Sequence, residues 1–368
     1  MQYYLKYMNN IIFKTIRNDG KARVNEVSIN GKTFQTPSFM PVATRGSIKS
    51  LPLDYLKKTD VLLANTYHLY LRPGLEVIKE FDGLHNFIGW DNLILTDSGG
   101  FQGWSIPNKF KEDGIEFKNI YDGSKFFMDP VLSMDIQNIL NSDIAMILDS
   151  LVDIDKDYDT QLQSINITKK WAETARNYHS NSKQALFGIV QGGKFNELRE
   201  KSALDMVSLD FDGYAIGGLA IGETPEERKN IVNFTVDILP KDKLRYVMGL
   251  GDIEGMLDLI ELGIDIFDCV WPARLARHGK IINKGDFFNL KNSKFKNITE
   301  PLVIGCECYV CINFSKAYLR HLLINESTSS WFYLTLHNIH QTENILSEVR
   351  KSILNSEFDN YKESILNG

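Results

Sequence analysis

Eight short, nearly continuous apolar runs recur along this chain, and they constrain its architecture more than any other feature. They lie at Ser38–Thr44, Val61–Asn65, Leu93–Ser98, Asp143–Asp149, Ala185–Gln191, Gly213–Gly218, Leu244–Gly251 and Ile264–Val270. Each has strand length and lacks the alternation of a half-solvated strand, so each reads as a strand buried on both faces. Helical signals separate most of them. Asp129-Pro130 opens one helix, Asp as the cap and Pro in the first turn, with Leu132, Ile136, Ile139 and Leu140 on one side. Thr160–Tyr178 and Asn196–Leu209 follow, and Thr224-Pro225-Glu226-Glu227 reads as a capping box. Asp252 caps a helix that runs to Leu262 and stops at Gly263. Buried strands alternating with helices give a parallel sheet of the α/β class. Eight strands suggest closure into a (β/α)8 TIM barrel; a doubly wound open sheet is the alternative.

The rhythm breaks near Ile282 and resumes after Trp331. Inside the break lies Cys306-Glu307-Cys308-Tyr309-Val310-Cys311. Three thiolates at this spacing suit a tetrahedral zinc, which needs a fourth ligand. His321, His337 and His340 are the downstream choices. Four protein ligands would close the site to water and make the metal structural. The expected organisation is a barrel core with the active site over 1–281, an inserted C-terminal zinc-binding subdomain over 282–338, and a helix over 339–368 that closes the barrel. Ile345, Leu346, Val349 and Ile353 form the apolar stripe of that last helix. The remaining cysteine, Cys269, reads as a core residue, and four cysteines exclude a disulfide scaffold.

Lys plus Arg number 41 against 47 Asp plus Glu, a formal charge of −6. That argues against a generally basic coat for nucleic acid but leaves room for a local basic face. Between Trp271 and Ile298 stand Arg274, Arg277, Lys280, Lys284, Lys291, Lys294 and Lys296 against Asp286 alone. Ser142–Thr160 is the opposite extreme, six Asp against Lys156. No apolar run reaches the ~18 residues of a membrane span. The opening Met1-Gln2-Tyr3-Tyr4-Leu5-Lys6 lacks a secretory signal's apolar core. The cytoplasm is the expected location, without membrane contact.

In both parallel architectures the chemistry lies at the carboxyl ends of the strands. Here those ends carry Asn65, Asp97-Ser98, Asp149, Gln191, Gly217-Gly218 and Asp268. Asp268 stands between Phe267 and Cys269-Val270, where an unpaired buried carboxylate costs several kcal/mol, and such residues are often functional. Converging carboxylates suit metal binding, proton abstraction or glycosidic-bond cleavage. Asp and Gln also complement a purine edge, and Phe101 could stack on a flat base. Gly249-Leu250-Gly251 with Gly255 is one residue off a dinucleotide fingerprint, and Gln191-Gly192-Gly193-Lys194 is not a P-loop.

Several strings together resemble the tRNA-guanine transglycosylases. They are Asn65-Thr66-Tyr67-His68-Leu69, Leu95 to Gln102, Gly188 to Gly192, Gly217 to Ala220, Phe267 to Val270, and the cysteine cluster with a later His-Asn, in the family's order. The resemblance implies a (β/α)8 barrel with a zinc subdomain, and a homodimer. It implies exchange of the wobble guanine, in tRNAs whose anticodon begins G-U, for a 7-deazaguanine on the route to queuosine. It makes Asp268 the nucleophile on ribose C1′ and Asp97 the general acid/base. It assigns Ser98, Phe101, Asp149, Gln191, Gly218 and Leu219 to substrate binding, and Arg274 and Arg277 to the tRNA anticodon loop. It places Zn2+ on Cys306, Cys308, Cys311 and His337, since the His-Asn pair falls at His337-Asn338. Departures from the family's usual pattern stand at Trp104, Ser150, Leu151, Asp252 and Ala273. Leu151 and Ile221 suggest a tight pocket, favouring 7-aminomethyl-7-deazaguanine over queuine as the incoming base. The alternatives are queuine with the same chemistry, or a non-catalytic partner subunit that only positions tRNA.

Overall fold

The computed structural model describes residues 11–105 and 108–367. The expectation drawn from Met1–Lys6 lies outside them. All eight apolar runs form strands of one parallel sheet: β1 (Ser38–Pro41), β2 (Val61–Ala64), β3 (Leu93–Thr96), β4 (Ile144–Met146), β5 (Ala185–Val190), β6 (Gly213–Ile216), β7 (Leu244–Val247) and β8 (Ile266–Cys269). β8 pairs with β1, and a parallel bridge at Val42 and Leu63 joins β1 to β2. Ala43 N–H donates to Leu63 O at 2.7 Å across the same seam. The sheet therefore closes as a barrel with helices around it, and the open-sheet alternative falls. Every residue of β1, β2, β3, β5, β6 and β7 is buried, which is why their sequences do not alternate.

The caps behave as their chemistry requires. Asp129 accepts from Leu132 N–H at 2.7 Å, Asp252 from Gly255 N–H at 2.7 Å, and Thr224 and Glu227 form the reciprocal box. The helix expected from Thr160 begins at Tyr158, because Asp157 is its cap.

Three additions were not legible as strands. An antiparallel sheet of Ile11–Asp19, Ala22–Ile29 and Lys32–Thr36 covers the end of the barrel where the strands begin. A second, of Asn108–Lys111, Gly114–Lys118 and Lys125–Met128, is inserted after β3. A hairpin of Lys280–Asn283 and Asp286–Asn289 follows the helix Trp271–Arg277. The closing helix is longer than expected: it runs from Ser327 to Asn355, with Ile345, Leu346, Val349 and Ile353 buried. Its periodicity before His340 is obscured because His337, Asn338, Gln341 and Thr342 are buried polar residues. A division at 281/282 thus cuts the hairpin strand, and one at 338/339 cuts this helix. No helix among the described residues is long and apolar enough to cross a membrane.

The N-terminal sheet is pinned to the barrel by one buried carboxylate. Asp265, at the entry to β8 and fully buried, receives Arg23 Nε at 2.9 Å and Nη2 at 2.6 Å. It also accepts from Asn25 Nδ2 at 2.7 Å and Arg245 N–H at 2.7 Å. Removing one partner of such a pair strands the other charge. Asp265→Ala is expected to cost about 3–5 kcal/mol, read as a shift of the urea unfolding curve; a loss under about 1 kcal/mol would show that the pair does not anchor the sheet.

Candidate active site

The carboxyl ends of the strands open into a cavity of about 450 Å3. Asp97, Asp149 and Asp268 all line it, with Gln191, Gly218 and Phe101. So the structure brings together the three carboxylates, the amide and the glycine expected from the strand ends, with Phe101 beside them.

Asp268 is the penultimate residue of β8 and is 8% exposed. Its Oδ1 accepts from the Tyr246 hydroxyl at 2.5 Å and from Gly249 N–H at 2.8 Å. Enclosure pushes its pKa up, and those two donors oppose the rise. Tyr246 was missed at the sequence level, although a tyrosine inside the apolar run Leu244–Val247 is a signal that its hydroxyl needs a buried partner.

Asp97 follows β3. Thr66 N–H donates to its Oδ1 at 2.9 Å and Gly99 N–H at 3.2 Å, while Asn65 Nδ2 holds the other oxygen. The Asn65 side-chain oxygen also caps the helix Thr66–Leu71, accepting from His68 N–H at 2.9 Å, so this amide is fixed from both ends. Enclosure lifts the Asp97 carboxyl to about 7, against the pull of its donors and with a contribution from the Asp268 charge.

Asp149, 6% exposed, accepts from Gln191 Nε2 at 2.7 Å. Burial lifts it to about 6, opposed chiefly by that amide. A Cβ on Gly217 or Gly218 would stand 2.5 or 2.7 Å from the Gln191 amide, so only glycine leaves room for this side chain, and Gly218 has a φ of +70° besides. Behind the pair lies Arg199, fully buried. Its guanidinium donates to Gly193 O at 2.9 Å, Val190 O at 3.1 Å and Gly217 O at 2.9 Å, tying the ends of β5 and β6. This arginine was not singled out at the sequence level, because nothing in the helix Asn196–Ser208 marks it as buried.

The other expected residues fall as follows. Ser98 and Leu219 are buried in the wall, and the Ser98 hydroxyl accepts from Gly100 N–H at 3.2 Å. Phe101 stands 48% exposed at the mouth, its ring centroid 5.6 Å from that of Trp104. Trp104 is in turn held by Asp153, to which its Nε1 donates at 2.6 Å. Ser150 N–H donates to Thr168 Oγ1 at 3.0 Å, and Ser150 lies outside the cavity wall that Leu151 and Ile221 complete. Arg274 is exposed and Arg277 half-buried, both outside the carboxylate cavity. Asp252 is a helix cap.

Cys306, Cys308, Cys311 and His337 form one cluster, all ligand atoms within 4.8 Å of one another. His321 and His340 lie outside it; their rings meet Asn325 and Asn344. His337 Nδ1 is 3.9, 3.4 and 3.4 Å from the three sulfurs in chain order. Its Nε2 lies 3.1 Å from Ile282 O, a partner that can only accept. That contact assigns the proton to Nε2 and leaves the Nδ1 lone pair facing the thiols, as a metal ligand requires. These residues could hold a metal ion. The next residue, Asn338, accepts from Ile282 N–H at 2.9 Å and donates to Pro272 O and Lys280 O at 3.0 Å each.

Comparison with known proteins agrees with this geometry. The family profile described as TGT, queuine tRNA-ribosyltransferase, matches residues 19–368. The queuine tRNA-ribosyltransferase of Bacillus subtilis (strain 168) is 42% identical over 348 residues, 93% of this chain and 91% of that protein. That of Staphylococcus aureus (strain JH9) is 42% identical over 355 residues, 95% and 93% of the two chains. The chain belongs to the queuine tRNA-ribosyltransferase family. Membership makes it an enzyme of the ribosyl-transfer class.

The Asp149 contact gives a direct test. In carboxyl-labelled NMR titrations, the Asp149 signal is expected to move with a midpoint of about 6. Gln191→Ala removes a donor to the charged form, so that midpoint should rise, while the Asp97 signal stays at about 7. An unmoved Asp149 signal would show that the amide does not hold the carboxylate.

Proposed function

We propose that this chain exchanges the wobble guanine of G-U-N anticodon tRNAs for 7-aminomethyl-7-deazaguanine, in queuosine formation. The observation that carries the proposal is one cleft holding Asp97, Asp149 and Asp268, each bonded to uncharged donors. A carboxylate paired with a cation is locked in one charge state; these three are free to trade protons or form a bond.

In this reading the wobble nucleotide leaves the anticodon stack to reach the cavity, as base-modifying enzymes require. Asp149 accepts from guanine N1–H and the 2-amino group, Gly218 N–H donates to O6, and Gln191 fixes the edge. Ser98 and Leu219 close the sides and Phe101 stacks at the mouth. An Asp268 carboxylate oxygen attacks C1′. The C1′–N9 bond breaks, its electron pair stays on the purine, and Asp97 supplies the proton. The incoming base binds the same residues and gives its N9 proton to Asp97. N9 then attacks C1′ and releases Asp268. Two displacements retain the configuration. Tyr246 and Gly249 N–H stabilise Asp268 as the carboxylate that leaves. Leu151 and Ile221 favour the small aminomethyl substituent over the cyclopentenediol of queuine. Arg274 and Arg277 contact the phosphates of the anticodon loop. The enzyme works in the cytoplasm, where its RNA is, and as a homodimer.

The cysteine cluster takes Zn2+, whose preference for thiolate and imidazole fits this donor set. Bound there, the metal supplies structure rather than chemistry. Cys308→Ser should lose zinc and lower the melting temperature, read by metal analysis and calorimetry; zinc loss with unchanged melting would contradict the structural role.

The deciding assay is guanine exchange into unmodified tRNA, with 7-aminomethyl-7-deazaguanine and queuine as competing bases. Asp268→Ala should abolish exchange yet still bind tRNA. Asp97 must be protonated to expel guanine, so activity should fall as pH rises through about 7. No exchange by folded wild type would end this reading, and queuine as the better competitor would overturn the choice of base.

A further inference from the structure

The carboxylate cavity does not end at Asp268. A second groove of about 480 Å3 adjoins it, and His68, Thr44 and Val270 line both. Arg45, Lys49 and Arg277 face this groove. Arg45 also looks outward: its guanidinium carbon lies 5.6 Å from the centroid of the Tyr121 ring. The Arg72 guanidinium packs on the same ring at 3.6 Å. Tyr121 is at the tip of the inserted sheet, between the strands Gly114–Lys118 and Lys125–Met128. There the loop after β1, the end of the helix Thr66–Leu71 and the insertion meet.

Arg45 and Arg72 are exposed, and neither guanidinium bonds to or pairs with any carboxylate among the described residues. The near acid, Asp122, is within electrostatic reach of Arg72 but makes no ion pair with it, and its Oδ1 accepts from Ser124 N–H at 2.9 Å and Ser124 Oγ at 2.7 Å. Lys49 and Lys118 are exposed in the same region. The Tyr121 hydroxyl is enclosed and has no partner among the described residues, so the ring is held by its faces rather than by its polar tip. A stacked guanidinium keeps its in-plane donors free and loses little side-chain freedom on binding, which suits it to phosphate. In a chain of net charge −6, such a cluster is a local attractor for an anion.

We propose that Arg45, Arg72 and Tyr121 form a phosphate-binding platform for the RNA strand flanking the flipped nucleotide. It continues the groove from Arg277 outward. The ligand class is the sugar–phosphate backbone of single-stranded RNA. The proposal rests on the tRNA reading above, and it adds a contact surface made by the inserted sheet. A strand that gives up one base to a deep cleft has phosphates on both sides of it. Arg274 and Arg277 serve the helix after β8, and the platform holds the chain where it crosses the loop after β1.

The test combines guanine-exchange kinetics on full-length tRNA with fluorescence-anisotropy binding of an anticodon stem–loop at several salt concentrations. Arg45→Ala with Arg72→Ala should raise the KM for tRNA and the stem–loop Kd about tenfold, with kcat and the KM for guanine within about twofold. The log Kd against log salt slope should fall by about 0.7 for each arginine removed. Arg45→Lys with Arg72→Lys should restore the slope, which a structural role would not predict. A double alanine variant with the wild-type melting temperature, tRNA KM and salt slope would overturn the platform. Wild type that exchanges no guanine would overturn the functional reading instead, and the stem–loop slopes would still decide the platform.

Discussion

Closure of the sheet between β1 and β2 is the constraint on which everything else rests. The bridge from Val42 to Leu63 is short, but it converts a row of strands into a ring. In an open sheet β1 and β2 would lie at opposite edges, with β8 next to β1 and far from β2. In the ring, Asn65 after β2, Asp97 after β3 and Asp268 at the end of β8 line one cavity. The Asp97 carboxyl is close enough to Asp268 to be raised by its charge.

Two carboxylates where the strands begin have partners of a different kind from those where the strands end. Where the strands begin, Asp265 is locked by Arg23, and Asp143 by His85 at 2.9 Å with Ile94 N–H. The His85 contact and that amide hold the Asp143 pKa below the ordinary carboxylate value despite burial. Where the strands end, the partners are an amide, a phenol and backbone N–H groups, and Asp97, Asp149 and Asp268 all shift upward. Asp143 and these three are all enclosed; at Asp143 the His85 contact and the amide outweigh enclosure, and at Asp97, Asp149 and Asp268 enclosure outweighs the donors.

The barrel was legible because its strands are buried on both faces, so composition alone marks them. The additions were less legible for a physical reason. Ile11–Asp19 is mostly exposed and Asp286–Asn289 has no buried residue, so neither carries an apolar run. The carboxylates announced themselves by standing at strand ends, and Asp268 by its apolar neighbours. Their partners did not. Tyr246 is hidden in a strand and Arg199 in a helix, and their bonds to Asp268 and to the Gly217 carbonyl span 22 and 18 positions. Local pattern shows where an element is; it does not show which distant group a buried polar atom will find.

His337 and Asn338 are adjacent on one helix, yet they serve different masters. One faces three sulfurs, and the other clamps Pro272, Lys280 and Ile282. Pro272 belongs to the helix that begins just beyond Asp268. The Cys3His cluster is therefore not a detachable cassette. A chimera that swapped it as a block would have to break a helix through its middle and release the segment that presents Arg274. The hairpin turn is no freer, since Gly285 packs so closely on Ile365 that a Cβ there would stand 2.2 Å from the Ile365 carbonyl oxygen.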